Sequence, residues 1–245
     1  ADMIRIKKNI PNILTILNLF CGLLSIIFSM ISDIELASFC IFIGMIFDFC
    51  DGLSARVLSS FSPIGKELDS LADMVTFGVA PSMIMFQLLY FSQSSFYFNA
   101  ETLLEPLSNN SCFFIAISSF IYTICSAIRL AKFNIDNNQI KHFIGLPTPA
   151  GAIVIASFPF LNVNFQENIL VLIICNLIIS FLLITNIQLL SLKISMKELK
   201  LNKKNIFIIL LIFTSILLLF IFKFVAIPFI VVLYLFLSIL NNNIK

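Results

Sequence analysis

The chain has 245 residues, of which 60% are hydrophobic and only 11% charged, with a formal net charge of +2. A soluble domain carries about 25% charged residues. The composition, with a mean hydropathy of +1.06, therefore excludes a soluble globular fold and leaves an all-α, polytopic membrane protein, of which no nucleic-acid partner is expected.

Arg5, Lys7 and Lys8 precede Pro11, and the first apolar span covers residues 10–31. It is long enough to cross a membrane and no small-residue cleavage site follows, so it reads as a membrane helix and not a leader. After Asp33 and Glu35, a second span starts near residue 36 and continues as helix past the membrane surface through Asp48 to Arg56. The turn-like run Ser59, Ser60, Phe61, Ser62, Pro63 leads into a third helix over 64–91. A polar loop, 92–111, carries Glu101 and Glu105. The fourth span is 112–131, followed by a polar connector over 132–142. The fifth opens on Gly145, Pro147 and Pro149, which shape its start, and runs to 161. The sixth is 168–190. Residues 193–204 carry five lysines, read as topogenic with some attraction to anionic lipid. The seventh and eighth spans, 206–222 and 225–240, are short and divided at Lys223. Each stretch is near the roughly 20 residues that a crossing helix needs.

Six cysteines, Cys21, Cys40, Cys50, Cys112, Cys125 and Cys175, form no CxxC pair and no cluster with the single histidine, His142. They read as small buried hydrophobes, and His142 as a solvated loop residue. Charge placement fits the span map. With eight spans, 14 of the 15 basic residues fall on the side of the N-terminus and the 2–3, 4–5 and 6–7 connections, and only Lys223 on the other. The positive-inside rule assigns that crowded side to the cytosol. The expected location is the cytoplasmic membrane, multi-pass, with the N-terminus inside.

Against this background residues 48–73 stand out. Asp48 and Asp51 are spaced i, i+3, and Asp69 and Asp73 i, i+4, so each pair shares a helix face. The midpoints of Asp51 with Asp69 and of Asp48 with Asp73 are 60 and 60.5, both in the turn. Two helices reversing there carry all four carboxylates at one depth, roughly 13–20 Å from the tip. Arg56 and Lys66 cannot balance four carboxylates and Glu67, so divalent metal is the expected counter-charge, because hard cations take oxygen ligands. Ionisable groups inside a membrane protein default to a functional reading. Gly52, Ala55 and Gly65, on the same helices, either permit close helix packing or leave room for a ligand. Both readings stay open from the residues alone.

The pattern D-x2-D-G-x2-A-R-x8-G-x3-D-x3-D, filled here by Asp48, Asp51, Gly52, Ala55, Arg56, Gly65, Asp69 and Asp73, resembles the signature of the CDP-alcohol phosphatidyltransferase family. The resemblance implies a six-helix core within residues 1–190, with 191–245 a basic cytosolic connector and about two added C-terminal helices, all in one membrane domain over 1–245. It implies that Asp48, Asp51 and Asp69 bind divalent metal, Mg²⁺ or Mn²⁺ and two ions. It further implies that Asp73 completes the metal site and acts as general base. Gly52, Ala55, Arg56 and Gly65 line a pocket for a CDP group, and a homodimer is implied. Paired metals neutralise charge on a breaking pyrophosphate, and an alcohol nucleophile needs a carboxylate to take its proton. The chemistry therefore agrees independently.

Outside the motif, four stretches are similar to the phosphatidylserine synthase branch: Pro11 to Asn18, Leu68 to Pro81, Ile128 to Asn134 and Phe143 to Ala150. That branch implies CDP-diacylglycerol and L-serine as substrates. Asn18 stands where branches using glycerol phosphate usually carry arginine, and Lys132 where this branch usually does. Thr15 and Asn18 share a face and either bond between helices or touch the CDP group. Arg129 is either a snorkelling cation or a planar fork for phosphate or carboxylate, and Lys132 offers the same choice. Three rival readings remain: another acceptor alcohol such as glycerol phosphate or inositol phosphate, a membrane prenyltransferase, and a cation transporter with carboxylates at mid-membrane.

Overall fold

The computed structural model describes residues 2–60, 62–92, 111–135, 143–162, 166, 168–189 and 203–243. The helices are α1 (Asp2–Met30), α2 (Ile34–Val57), α3 (Pro63–Asp73), a π-helical segment (Met74–Val79), α4 (Ala80–Phe91), α5 (Ser111–Ile117), α6 (Phe120–Ile135), α7 (Thr148–Ser157) with a 3-10 turn (Phe158–Phe160), α8 (Ile169–Ile184), α9 (Lys203–Phe222), a 3-10 turn (Lys223–Val225) and α10 (Ala226–Asn243). Five apolar helical stretches are long enough to cross a membrane, and Thr148–Phe160 and Ile169–Ile184 are shorter. The chain is an all-α, multi-pass membrane protein. Most of the loop 92–111, the end of the connector with His142, and most of the lysine run 193–204 lie outside the described residues. Cys21, Cys40, Cys50, Cys125 and Cys175 are free thiols, with Cys21 and Cys125 buried.

Helix α1 is polar inside and apolar outside. Thr15, Asn18, Cys21, Ser25 and Ser29 are buried, while Ile13, Ile16, Phe20, Leu23 and Ile27 are exposed. This is the pattern expected where lipid, not water, surrounds a bundle and small or polar side chains hold helices together. The π segment and α4 form the centre, packed by α1, α2, α6 and α7. Thr76 is the junction. An added Cβ would lie 2.5 Å from its Oγ1 at Gly22 and 2.7 Å from its Cγ2 at Gly44. Its hydroxyl donates to Asn18 C=O at 2.9 Å.

The expected third helix is not continuous α-helix. Its π turn has a local cause, since Pro81 has no N–H to give Phe77 C=O and its ring crowds that carbonyl. Widening the turn relieves the crowding, and the Tyr122 hydroxyl reaches Phe77 C=O at 3.0 Å. The fourth span breaks at Ser118–Ser119, where i→i−3 bonds tighten the chain, and Asn176 Nδ2 takes Ser118 C=O at 3.1 Å. Helix α1 runs through Pro11, which forgoes one helical hydrogen bond there. The sixth span ends at Ile184, short of the expected 190. Residues 188–189 pair instead with 143–144 in a two-residue antiparallel ladder. Gly145 makes the ladder possible. Its φ is +73°, and an added Cβ would sit 2.8 Å from Thr185 C=O.

The seventh and eighth helices divide at Lys223, whose φ of 50° turns the chain. Phe224 then stacks on Phe42 at 5.1 Å and on Phe160 at 5.0 Å, fastening the C-terminal pair to α2 and to the end of α7. α10 also packs along α7.

Candidate active site

Asp48, Asp51 and Asp69 converge: one carboxylate oxygen from each lies within 4.8 Å of the others. α2 contributes the first two from a single face, and α3 the third. Ser62 starts α3, accepting Gly65 N–H at 3.0 Å, with Pro63 in the first turn, where a missing N–H costs nothing. The two helices do not form a tight hairpin. Each packs on α1, and α3 lies against α1 rather than closely against α2.

α1 reaches into that angle. Thr15, buried, shares its hydroxyl between Asp51 Oδ2 at 2.7 Å and Pro11 C=O at 3.0 Å. Asn18 Nδ2 donates to Asp73 Oδ1 at 3.3 Å. Asp73 stands beside the three clustered carboxylates and feels the charge of each. The basic neighbours are engaged elsewhere. Arg56 Nε bonds back to Gly52 C=O at 2.8 Å, and Lys66 Nζ to Asn134 C=O at 3.3 Å. Asp69 Oδ1 is buried with no partner among the described residues. A set of close carboxylates with an unsatisfied buried oxygen and no cation between them fits a hard divalent ion.

A cavity of about 640 Å³ opens from the cluster between α1, α2 and α3, lined by Asn12, Thr15, Asp51, Gly52, Ala55, Arg56, Gly65, Lys66 and Asp69 among others. The glycines divide the two readings left open by sequence. At Gly65 an added Cβ would meet Asn12 Oδ1 and Ser62 Oγ at 2.9 Å, whereas at Gly52 the nearest atom is Arg56 Nη2 at 3.7 Å. Gly65 is small for packing, and Gly52 keeps the cavity open. Asn18 lies behind the lining, fully buried.

The model of the CDP-alcohol phosphatidyltransferase family matches residues 8–182 of the chain. The chain belongs to this family. The CDP-alcohol phosphatidyltransferase region thus runs from α1 through nearly all of α8, and α9 and α10 lie beyond it. Similar proteins include a CDP-diacylglycerol–serine O-phosphatidyltransferase of Bacillus subtilis, 40% identical over 153 residues, 62% of this chain and 76% of that protein. A protein of the same name from Methanocaldococcus jannaschii is 36% identical over 181 residues, 73% of this chain and 75% of that one. Another, from Helicobacter pylori, is 32% identical over 214 residues, covering 84% and 79%.

In this CDP-alcohol phosphatidyltransferase, Arg129 is buried, not snorkelling. Its Nη1 donates to Thr148 Oγ1 at 3.0 Å, and it feels the charge of Asp73. Lys132, one turn on, is exposed at the end of α6 and does not line the cavity. Ser70 and Asn134 exchange hydrogen bonds at 2.9 and 3.2 Å, tying α3 to the end of α6. Sequence reasoning did not assign roles to Tyr122, Asn134 or Thr148. Signals for two of them were present: Pro81 inside an apolar helix demands a substitute donor for Phe77 C=O, and Thr148 sits between two prolines in a stretch too polar for its surroundings.

Proposed function

We propose that the protein transfers the phosphatidyl group of CDP-diacylglycerol to the hydroxyl of L-serine, giving phosphatidylserine and CMP. The convergence of Asp48, Asp51 and Asp69 at the end of a cavity kept open by Gly52 carries the reading. The names of the similar proteins support serine as the acceptor.

Asp48, Asp51 and Asp69, with Asp73 beside them, would hold Mg²⁺ or Mn²⁺, two ions in the full site. Bound there, the metal supplies positive charge to the pyrophosphate as its bond breaks. The cytidine and ribose lie along Gly52, Ala55 and Gly65, with Arg56 at the exposed rim and Thr15 fixing Asp51. Asn18 acts from behind by holding Asp73. The serine hydroxyl oxygen attacks the phosphorus that carries diacylglycerol, and its proton passes to Asp73. The bond to the bridging oxygen breaks, and CMP leaves with that electron pair. Arg129 faces the acceptor's carboxylate or the transferred phosphate. Lys132 adds a second positive charge on the same side.

The lipid tails lie laterally among the exposed apolar helix faces. The site and the N-terminus face the cytosol of the cell membrane, as the placement of 14 of 15 basic residues supports. A homodimer is part of the same proposal, on the family resemblance. Membranes containing the protein, given CDP-diacylglycerol and radiolabelled serine, are expected to label lipid. Release of CMP with glycerol phosphate or inositol phosphate as the incorporated alcohol, and none with serine, would overturn the choice of acceptor.

A further inference from the structure

Arg129 is 9% exposed, and among the described residues only its Nη1 has a partner, Thr148 Oγ1 at 3.0 Å. Its Nε is buried and unpartnered. A buried guanidinium with an unused N–H is costly to leave so, and a ligand carrying an acidic oxygen removes the cost. Thr148, fully buried, is the first residue of α7. Its carbonyl shares the Tyr122 hydroxyl, at 3.2 Å, with Phe77 C=O at 3.0 Å. Phe77 lies on the π turn that begins directly after Asp73. Tyr122 and Arg129 are seven residues apart on α6 and so share a face. One phenol and one threonine hydroxyl therefore tie the guanidinium to the turn that follows the general base.

We propose that Thr148, braced by Tyr122, is a positioning residue that aims the free edge of Arg129 at the α-carboxylate of the acceptor and so selects an amino-acid alcohol. The proposal rests on the serine-transfer reading above and deepens it. Two observations favour carboxylate over the donor's diphosphate. The cavity between α1, α2 and α3 does not include Arg129, so its guanidinium lies outside the space assigned to the donor. Arg129 instead stands on the Asp73 side, held by α7. In serine the hydroxymethyl and the carboxylate share one carbon, so a planar fork fixing the carboxylate also fixes the hydroxyl near Asp73.

The test uses the purified full chain with saturating metal, varies the acceptor at saturating CDP-diacylglycerol and CDP-diacylglycerol at saturating serine, and compares Thr148→Val and Thr148→Ser with wild type. Acceptors are L-serine and serinol, in which a second hydroxymethyl replaces the carboxylate. In Thr148→Val, KM for serine is expected to rise about tenfold, as for the loss of one charge-assisted hydrogen bond. KM for CDP-diacylglycerol should stay within about twofold of wild type, and the preference for serine over serinol should fall by the same factor as the serine KM rises. Thr148→Ser, which keeps the hydroxyl, should restore both. An unchanged serine KM in Thr148→Val, or an equal rise for CDP-diacylglycerol, would overturn the proposal. So would loss of activity in both variants with a lowered melting temperature, which marks a purely structural threonine. Failure of the underlying reading shows separately, as absence of serine transfer in the wild type.

Discussion

At the scale of single residues, two glycines of α2 separate the cavity from the packing of the bundle. Gly52 faces open cavity and Gly44 faces Thr76. Gly52→Ala should therefore leave the melting temperature close to wild type while raising KM for CDP-diacylglycerol about tenfold, since a methyl group takes space the donor needs. Gly44→Ala should instead lower stability by ~1–3 kcal/mol, the cost of overpacking, visible in thermal unfolding. A Gly52→Ala protein that unfolds early with unchanged KM would reverse the assignment. Thr15 orients Asp51 without being one of the clustered carboxylates. Such supporting groups are worth about 10–100-fold in metal affinity or activity. Thr15→Val should raise the metal concentration for half-maximal activity by about tenfold, measured by titrating Mg²⁺ or Mn²⁺ against CMP release. The carboxylates were legible in the sequence because an acid in an apolar chain is costly to keep unless it holds a cation or a substrate. Thr15 and Asn18 were legible only as a shared helix face, and their partners Asp51 and Asp73 needed the fold.

At the scale of elements, the helices that sequence could place are those with a continuous apolar run. Their interruptions follow from backbone hydrogen-bond accounting that periodicity does not register. Pro81 forces the π turn, and Tyr122, 45 residues along the chain from Phe77, supplies the donor that Phe77 C=O lacks. The ladder joining 143–144 to 188–189 is too short to leave any alternation in the sequence. Gly145 was its one signal, read as shaping the start of the fifth span, and the structure gives it both a left-handed φ and a close carbonyl. Gly145→Ala should cost ~1–3 kcal/mol, the usual range for a strained backbone position. The sign is destabilising, and thermal unfolding in detergent measures it. A neutral substitution would mean that the ladder contributes little to fixing α7, and with it Thr148.

At the scale of the whole molecule, the apolar stretches and their order were readable because lipid imposes apolarity on each, although Thr148–Phe160 and Ile169–Ile184 are shorter than a full crossing. The angle between α2 and α3 was not readable, since it is set by how each helix packs on α1, which no local pattern encodes. The proposed sidedness rests on the charge census. In a cysteine-free background, Ser59→Cys, exposed in the turn, should react with a membrane-impermeant thiol reagent only from the cytosolic side, and Lys223→Cys only from the opposite side. Labelling of both from one side would break the span count. Above all, Asp48, Asp51, Asp69 and Asp73 are held to form one catalytic centre, with Asp73 taking the proton of the acceptor. Serine-dependent CMP release by the purified protein, wild type against Asp73→Asn, decides this. One CMP per serine incorporated is expected in the wild type, and a fall of about 10²–10⁴-fold in Asp73→Asn, with melting temperature and the stabilisation by added Mg²⁺ or Mn²⁺ largely retained. Serine transfer by Asp73→Asn at a rate near that of the wild type would contradict a general base at this position.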